Sequence, residues 1–205
     1  MTETSTVLRT GRKFDQVLKG AREVFMADGF EGASVDDIAK AANVSKATLY
    51  SYFPDKRLLF REVVQTECGR MSEQILSMVD ETQPAREVLT VAAQQLAAFL
   101  ISRFAQQIFR ICVAERDRFP ELGRAFYEAG PRNGCKQLMD YLEKAIAKGE
   151  LQIDDVELAA EQFSELCKAK LWMEVAFGVR TSVEQAEIDV VAHSAVDMFM
   201  ARYGV

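Results

Sequence analysis

Histidine is nearly absent from this chain: His193 is the one example in 205 residues. A lone histidine with no Asp, Glu or Cys cluster beside it supports neither a metal site nor a His-dependent catalytic set. There is no HExxH, no P-loop glycine–lysine run and no GxGxxG, so zinc hydrolysis, nucleotide hydrolysis and dinucleotide chemistry have no signature here. No enzyme and no cofactor is expected, and His193 reads as a surface or dimer-contact residue. Cysteine is scarce too. Cys68, Cys112, Cys135 and Cys167 form no CxxC pair and each falls in an apolar helical pattern, the pattern of reduced, buried thiols in a cytoplasmic protein. Alternating Val/Ile/Thr runs are nearly missing, and 4 prolines and 11 glycines gather at a few points. Strands are therefore not expected. No apolar run is long enough to span a bilayer, and the first residues lack a signal-peptide core. The reading is an all-α, soluble, cytoplasmic chain with no membrane partner.

What is present is unevenly spread. Net charge is −6, yet residues 1–60 hold 9 Lys/Arg against 8 Asp/Glu, and the remainder 16 against 23. The acidity belongs to the larger C-terminal part. An acidic body does not exclude DNA, because phosphate binding needs only local positive charge.

Helical periodicity runs through the chain. Phe14, Val17, Leu18, Ala21, Val24 and Phe25 give Arg12 to Asp28 one apolar stripe, closed by Gly29. Residues 1–11 read as an arm, with Arg9 near Arg12 and Lys13. Ser34 is placed to N-cap a second helix, and Asn43 to take the left-handed turn that follows. Ser45 caps a third helix, Lys46 to Phe53, stopped by Pro54. A helix from Lys56 to about Val79 then leads into the body. Further helices are expected over 85–103, 105–118, 121–129, 132–148, 155–177 and 183–202. The domain reading is a helix-turn-helix unit over 1–54 and a larger antiparallel helical domain over 55–205, joined by a continuous helix.

The third helix carries the chemistry. At 100° per residue Leu49 and Phe53 share one side and must pack inward. The other arc is Ala47, Thr48, Tyr50 and Ser51, with Lys46 in the first turn and Tyr52 on the flank. Small residues allow close approach to base edges, and a Thr methyl, hydroxyls and an ammonium can read bases or hold phosphates. Ser34 and Lys56 stand at neighbouring helix N-termini, where backbone N–H groups favour phosphate. A helical adaptor that binds protein rather than DNA, or a regulator controlled by a protein partner, is the competing reading.

From Arg12 to Val64 the chain resembles the DNA-binding domain of TetR-type transcriptional regulators. The residues that carry the likeness are Phe14 and Phe25, then G-F-E-G-A-S from Gly29, I-A-K-A-A from Ile38, N-V-S-K-A-T-L-Y from Asn43 and Y-F-P-D-K-R-L-L-F from Tyr52. The resemblance implies a homodimer on a palindromic double-stranded operator. It implies contacts from Ser34, Ser45, Lys46, Ala47, Thr48, Tyr50, Ser51, Tyr52 and Lys56. Ala47 stands where many members have glycine, and Tyr52 where many have a histidine. Phe109 to Pro131 is similar to the regulatory domain of the AefR-like subgroup, which implies a small-molecule effector and, most often, repression.

For the body, Phe163, Leu166, Leu171, Ile188, Val191, Ala195, Met198 and Arg202 are the expected dimer seam, two helices per subunit forming a four-helix bundle. Phe99, Phe104, Phe109, Cys112, Phe126, Met139, Trp172, Met173 and Phe177 are the candidate lining of an apolar effector pocket. Arg103, Arg110, Arg116 and Arg118 could include one buried anchor for an anion.

Overall fold

The computed structural model describes residues 11–205, so the reading of the N-terminal arm, Arg9 included, lies outside the described residues. The chain is helical: α1 Arg12–Gly32, α2 Val35–Ala41, α3 Lys46–Tyr52, α4 Lys56–Met78, α5 Ala85–Leu100, α6 Arg103–Ala114, α7 Pro120–Tyr127, α8 Asn133–Ala147, α9 Val156–Leu166, α10 Leu171–Ala176 and α11 Gln185–Tyr203. A π-helical turn, Glu128–Arg132, joins α7 to α8. The one pairing of extended backbone among the described residues is an isolated bridge between Leu151 and Gly204. The all-helical expectation holds.

The helices form two compact units. The first contains the described residues up to Glu67 together with Gln107–Ala129, and the second contains Cys68–Gln106 and Gly130–Val205. The packing therefore divides the chain differently from a cut after Pro54. Residues that follow the helix-turn-helix by some fifty positions in sequence fold with it.

The first unit is built on phenylalanine. Phe25, Phe30 and Phe60 are buried, with ring centroids 5.3 Å apart for Phe25 and Phe60 and 5.5 Å for Phe30 and Phe60, both edge-to-face. Phe119 adds a fourth ring, 5.3 Å from Phe30. Such geometry lets the positive edge of one ring meet the negative face of the next. Ion pairs flank the cluster: Arg118 to Glu31 at 3.2 Å and Arg57 to Glu121 at 3.1 Å. Gly29 takes φ 74°, as a helix-ending glycine does, and one more turn follows before α2.

In the second unit α5 lies along α11 and α8 along α9, around a core that includes Leu89, Leu142, Phe163 and Phe199. The C-terminus is tied down where Gln152 N–H donates to the Tyr203 carbonyl at 2.8 Å and Tyr203 Oη donates to Gln162 Oε1 at 2.7 Å. The helix expected over 155–177 is two. It breaks at Lys170, whose φ of 64° is left-handed, so α10 starts in a new direction. The helix expected to stop at Gly130-Pro131 instead continues as the π turn.

Arg180 is the ionic centre of this unit. It donates to Glu187 at 3.0 and 2.6 Å and to Glu174 at 3.2 Å. The Arg180 hydrogen bonds hold the Glu187 carboxyl down at about 2, below its usual 4.5. A depressed acid pKa stabilises the fold above the unfolded value and loses that contribution as pH falls through the folded one. Glu187→Gln should therefore melt lower than the parent at pH 6, and the gap should close between about pH 4.5 and 2. Thermal melts followed by circular dichroism across that range check it; a gap that stays constant down to pH 2 would sink the assignment.

Candidate nucleic-acid interface

The helix-turn-helix forms as its residues dictate. The Ser34 side chain accepts from Asp37 N–H at 3.0 Å and caps α2. The Ser45 side chain accepts from Thr48 N–H at 3.1 Å and caps α3. Between them Asn43 takes φ 52°, the left-handed conformation asparagine tolerates best after glycine. Leu49 and Phe53 are buried and seat α3 on the first unit's core, where Phe53 stacks on Phe14 at 5.5 Å.

The opposite side of α3 faces outward. Ser45, Lys46, Ala47, Tyr50 and Ser51 are exposed, and Thr48 and Tyr52 are half-buried. The Ser45 and Thr48 hydroxyls are hydrogen-bonded to each other at 2.9 Å, which fixes the Thr48 rotamer and turns its methyl to a defined side. Ser51 Oγ donates to the Thr48 carbonyl at 2.7 Å. The Tyr52 ring rests edge-on against Phe14 at 5.7 Å. These residues make a narrow face with little bulk, suited to a groove.

Two basic residues of the expected set behave differently. Lys46 is ion-paired with Asp36 across the turn, and both side chains are exposed. The hydrogen bond to Asp36 raises the Lys46 pKa, so it stays cationic. A pair this exposed is screened by solvent and contributes little, so a phosphate or guanine can take the ammonium at small cost. Lys56 is committed elsewhere. Its ammonium donates to the Phe30 carbonyl at 2.7 Å and the Ala33 carbonyl at 3.0 Å, and stands 4.6 Å from the Phe30 ring centroid. In this structure it is a clamp between the start of α4 and the α1–α2 junction rather than a free phosphate ligand. Ser34 is likewise occupied: besides accepting from Asp37 N–H, its hydroxyl donates to the Asp37 carboxylate.

The Lys56 clamp makes a measurable distinction. Lys56→Met keeps the stem and removes the donors, and should cost about 2 kcal/mol of stability, within the range of hydrogen bonds to charged groups. A phosphate-bound lysine would also add about 1 to the slope of log K against log salt. The expected outcome for Lys56→Met is a lower melting temperature with an unchanged salt slope; a slope reduced by about 1 per bound subunit would return Lys56 to the DNA.

The seam expected for dimerisation is largely core. Phe163, Leu171, Ile188, Val191 and Ala195 are buried inside a single chain, where Phe163 meets Phe199 at 5.2 Å and Leu171, Ile188 and Val191 pack with Ala97. Leu166 packs against the core of the second unit. Only Met198 and Arg202 of the set are exposed. Val190 on α11, expected to widen the seam, faces outward, whereas Phe199, expected beside it, is core; Leu158 on α9, which was not expected there, is outward too.

The expected pocket residues divide between the two compact units. Phe109, Cys112 and Phe126 belong to the first unit and the rest to the second. Met173 and Phe177 are 54 % and 76 % exposed. Met139 packs against the core of the second unit, and the Cys112 thiol donates to the Leu122 carbonyl at 3.6 Å. Arg103, Arg110, Arg116 and Arg118 are all exposed, which removes the buried cationic anchor. His193 is exposed, with Nδ1 2.6 Å from the Asp189 carbonyl. No cluster of potential metal ligands occurs among the described residues.

A capped two-helix turn, a seated recognition helix and a separate helical unit define a helix-turn-helix transcriptional regulator. Residues 17–63 match the model for bacterial regulatory proteins of the tetR family, and residues 87–205 match the AefR-like transcriptional repressor C-terminal domain. The chain belongs to the TetR family of transcriptional regulators, which are not enzymes. It is 30% identical over 149 residues, 71% of each chain, to the HTH-type regulator YdeS of Bacillus subtilis. A TetR-family regulator from Mesorhizobium loti is 30% identical and superimposes with a TM-score of 0.84 over 100% of both chains. The flavonoid-responsive regulator FrrA is 35% identical, with a TM-score of 0.77 over 95% of this chain and 98% of its own.

Proposed function

We propose that this regulator is a cytoplasmic repressor that binds a palindromic operator as a homodimer through α3. It releases the operator when a small, largely apolar molecule binds the C-terminal helices. The observation that carries the DNA half is the α3 surface: Leu49 and Phe53 buried, Ala47, Tyr50 and Ser51 outward, and Lys46 held only by an exposed ion pair. A dimer places two such helices on half-sites about one DNA turn, roughly 34 Å, apart. The exposed apolar residues Leu158, Val190 and Met198 support α9 and α11 as the dimer surface. The effector half is supported by FrrA, which is flavonoid-responsive and 35% identical over nearly the whole chain. Effector and operator then oppose each other reciprocally, each weakening the other's binding.

The test is binding of the purified protein to DNA from its own upstream region over a salt series, with and without a panel of flavonoids. Affinity should fall steeply with salt. Tyr50→Phe should weaken all sequences by one common factor. Lys46→Met should shift preference at one base position by about 1–3 kcal/mol. Salt-insensitive binding, or none, would count against the operator reading; full occupancy at saturating flavonoid would count against the effector reading.

A further inference from the structure

The second unit contains one unexplained polar atom. Gln106, in the first turns of α6, is 2 % exposed. Its side-chain carbonyl oxygen, Oε1, is buried and has no hydrogen-bond partner, and among the described residues it is the one buried side-chain N or O atom so placed. Folded chains rarely leave such a group alone, because the lost hydration is not replaced. An amide flip does not resolve it. Nε2 donates to the Leu100 carbonyl at 2.7 Å. Exchanging the two ends would set oxygen against oxygen and strand the NH2 group instead. The Leu100 carbonyl lies at the end of α5, where helix acceptors have no internal donor. Gln106 is thus held by one end across the α5–α6 junction while the other end waits for a donor.

We infer that Gln106 Oε1 accepts a hydrogen bond from a hydroxyl or N–H of the effector; the inference rests on the effector reading above. The acceptor excludes some chemistries. A carboxylate or phosphate presented to it would repel. An ammonium would lose its hydration at this buried atom without a counter-charge. The atom therefore selects an uncharged molecule with a hydroxyl or amide donor, a phenol being the simplest case. It also discriminates sharply, since a buried acceptor left empty penalises any analogue that lacks the donor.

The experiment uses the full chain, a set of monohydroxyflavones and their methyl ethers, read by isothermal titration and by operator release. The hydroxyl compound that binds tightest should lose at least about tenfold in affinity on methylation. Gln106→Leu should bring the hydroxyl compound down to the level of its ether and leave the ether unchanged. Equal affinity for hydroxyl and ether on the unmodified protein overturns the inference and leaves the effector reading standing, as does a preference that survives in Gln106→Leu. If no member of the set binds, the flavonoid effector reading fails and the role of Gln106 fails with it. The comparison on the unmodified protein decides the matter even if the leucine variant does not fold.

Discussion

Phe30→Ala should destabilise the protein by about 3–5 kcal/mol, the range for removing a buried phenylalanine. The ring is 3 % exposed and meets Phe25 at 6.0 Å, Phe60 at 5.5 Å and Phe119 at 5.3 Å. It also lies under the Lys56 ammonium. Its backbone carbonyl is one of the two that Lys56 holds, so the same residue serves the core with its ring and the clamp with its main chain. A cavity here cannot be closed by sliding one helix, because α1, α4 and the segment before α7 border it from separate directions. Denaturant unfolding checks the value. Phe30→Leu should recover much of the loss, and a loss under about 1 kcal/mol for alanine would show that the site collapses.

Gly20→Val should be comparably damaging, at about 3 kcal/mol or more, the upper end of overpacking. A Cβ at Gly20 would stand 2.5 Å from the Ala42 nitrogen and 2.8 Å from its Cα and Cβ. These are backbone atoms and the first carbon of a short side chain, so nothing there can swing aside. α1 and α2 must separate instead. Ala42 ends α2 and precedes Asn43, so the separation passes straight into the turn that aims α3. Operator affinity should fall even at temperatures where the variant remains folded. Gly69→Ala is the control: nothing lies within 4 Å of its added Cβ, and replacing a helical glycine should leave stability unchanged or raise it by up to about 1 kcal/mol. If Gly20→Val and Gly69→Ala unfold alike, the close approach of α1 and α2 is not what holds the turn.

The recognition helix was the most legible part of the sequence. Ser34, Asn43 and Ser45 act on their own backbone within a few residues, and the Leu49–Phe53 spacing fixes which side of α3 is buried. What the sequence did not show depended on long side chains or on distant partners. Lys56 stands at a helix start, where a phosphate is a reasonable partner, but a lysine stem reaches far enough to find the Phe30 and Ala33 carbonyls instead. The α9–α10 break has no Gly or Pro to announce it, because Lys170 itself takes the left-handed turn. On α11 apolar residues occur on more than one side, so periodicity alone did not separate Ile188 and Val191, which are core, from Val190 and Met198, which are surface. Gln106 left no sequence signal: a glutamine near a helix start is ordinary until its surroundings are known.

The partnership of Gln107–Ala129 with the helix-turn-helix also bears on how the protein is born. Synthesis proceeds at about 5–20 residues per second, so the N-terminal helices leave the ribosome seconds before Phe119, Arg118 and Glu121 do. Until then the Phe30 ring lacks its last aromatic neighbour, and Glu31 and Arg57 lack their later partners. The DNA-reading unit therefore completes itself only after part of the regulatory sequence has been made. A nascent or prematurely terminated fragment would carry α3 on an unfinished base.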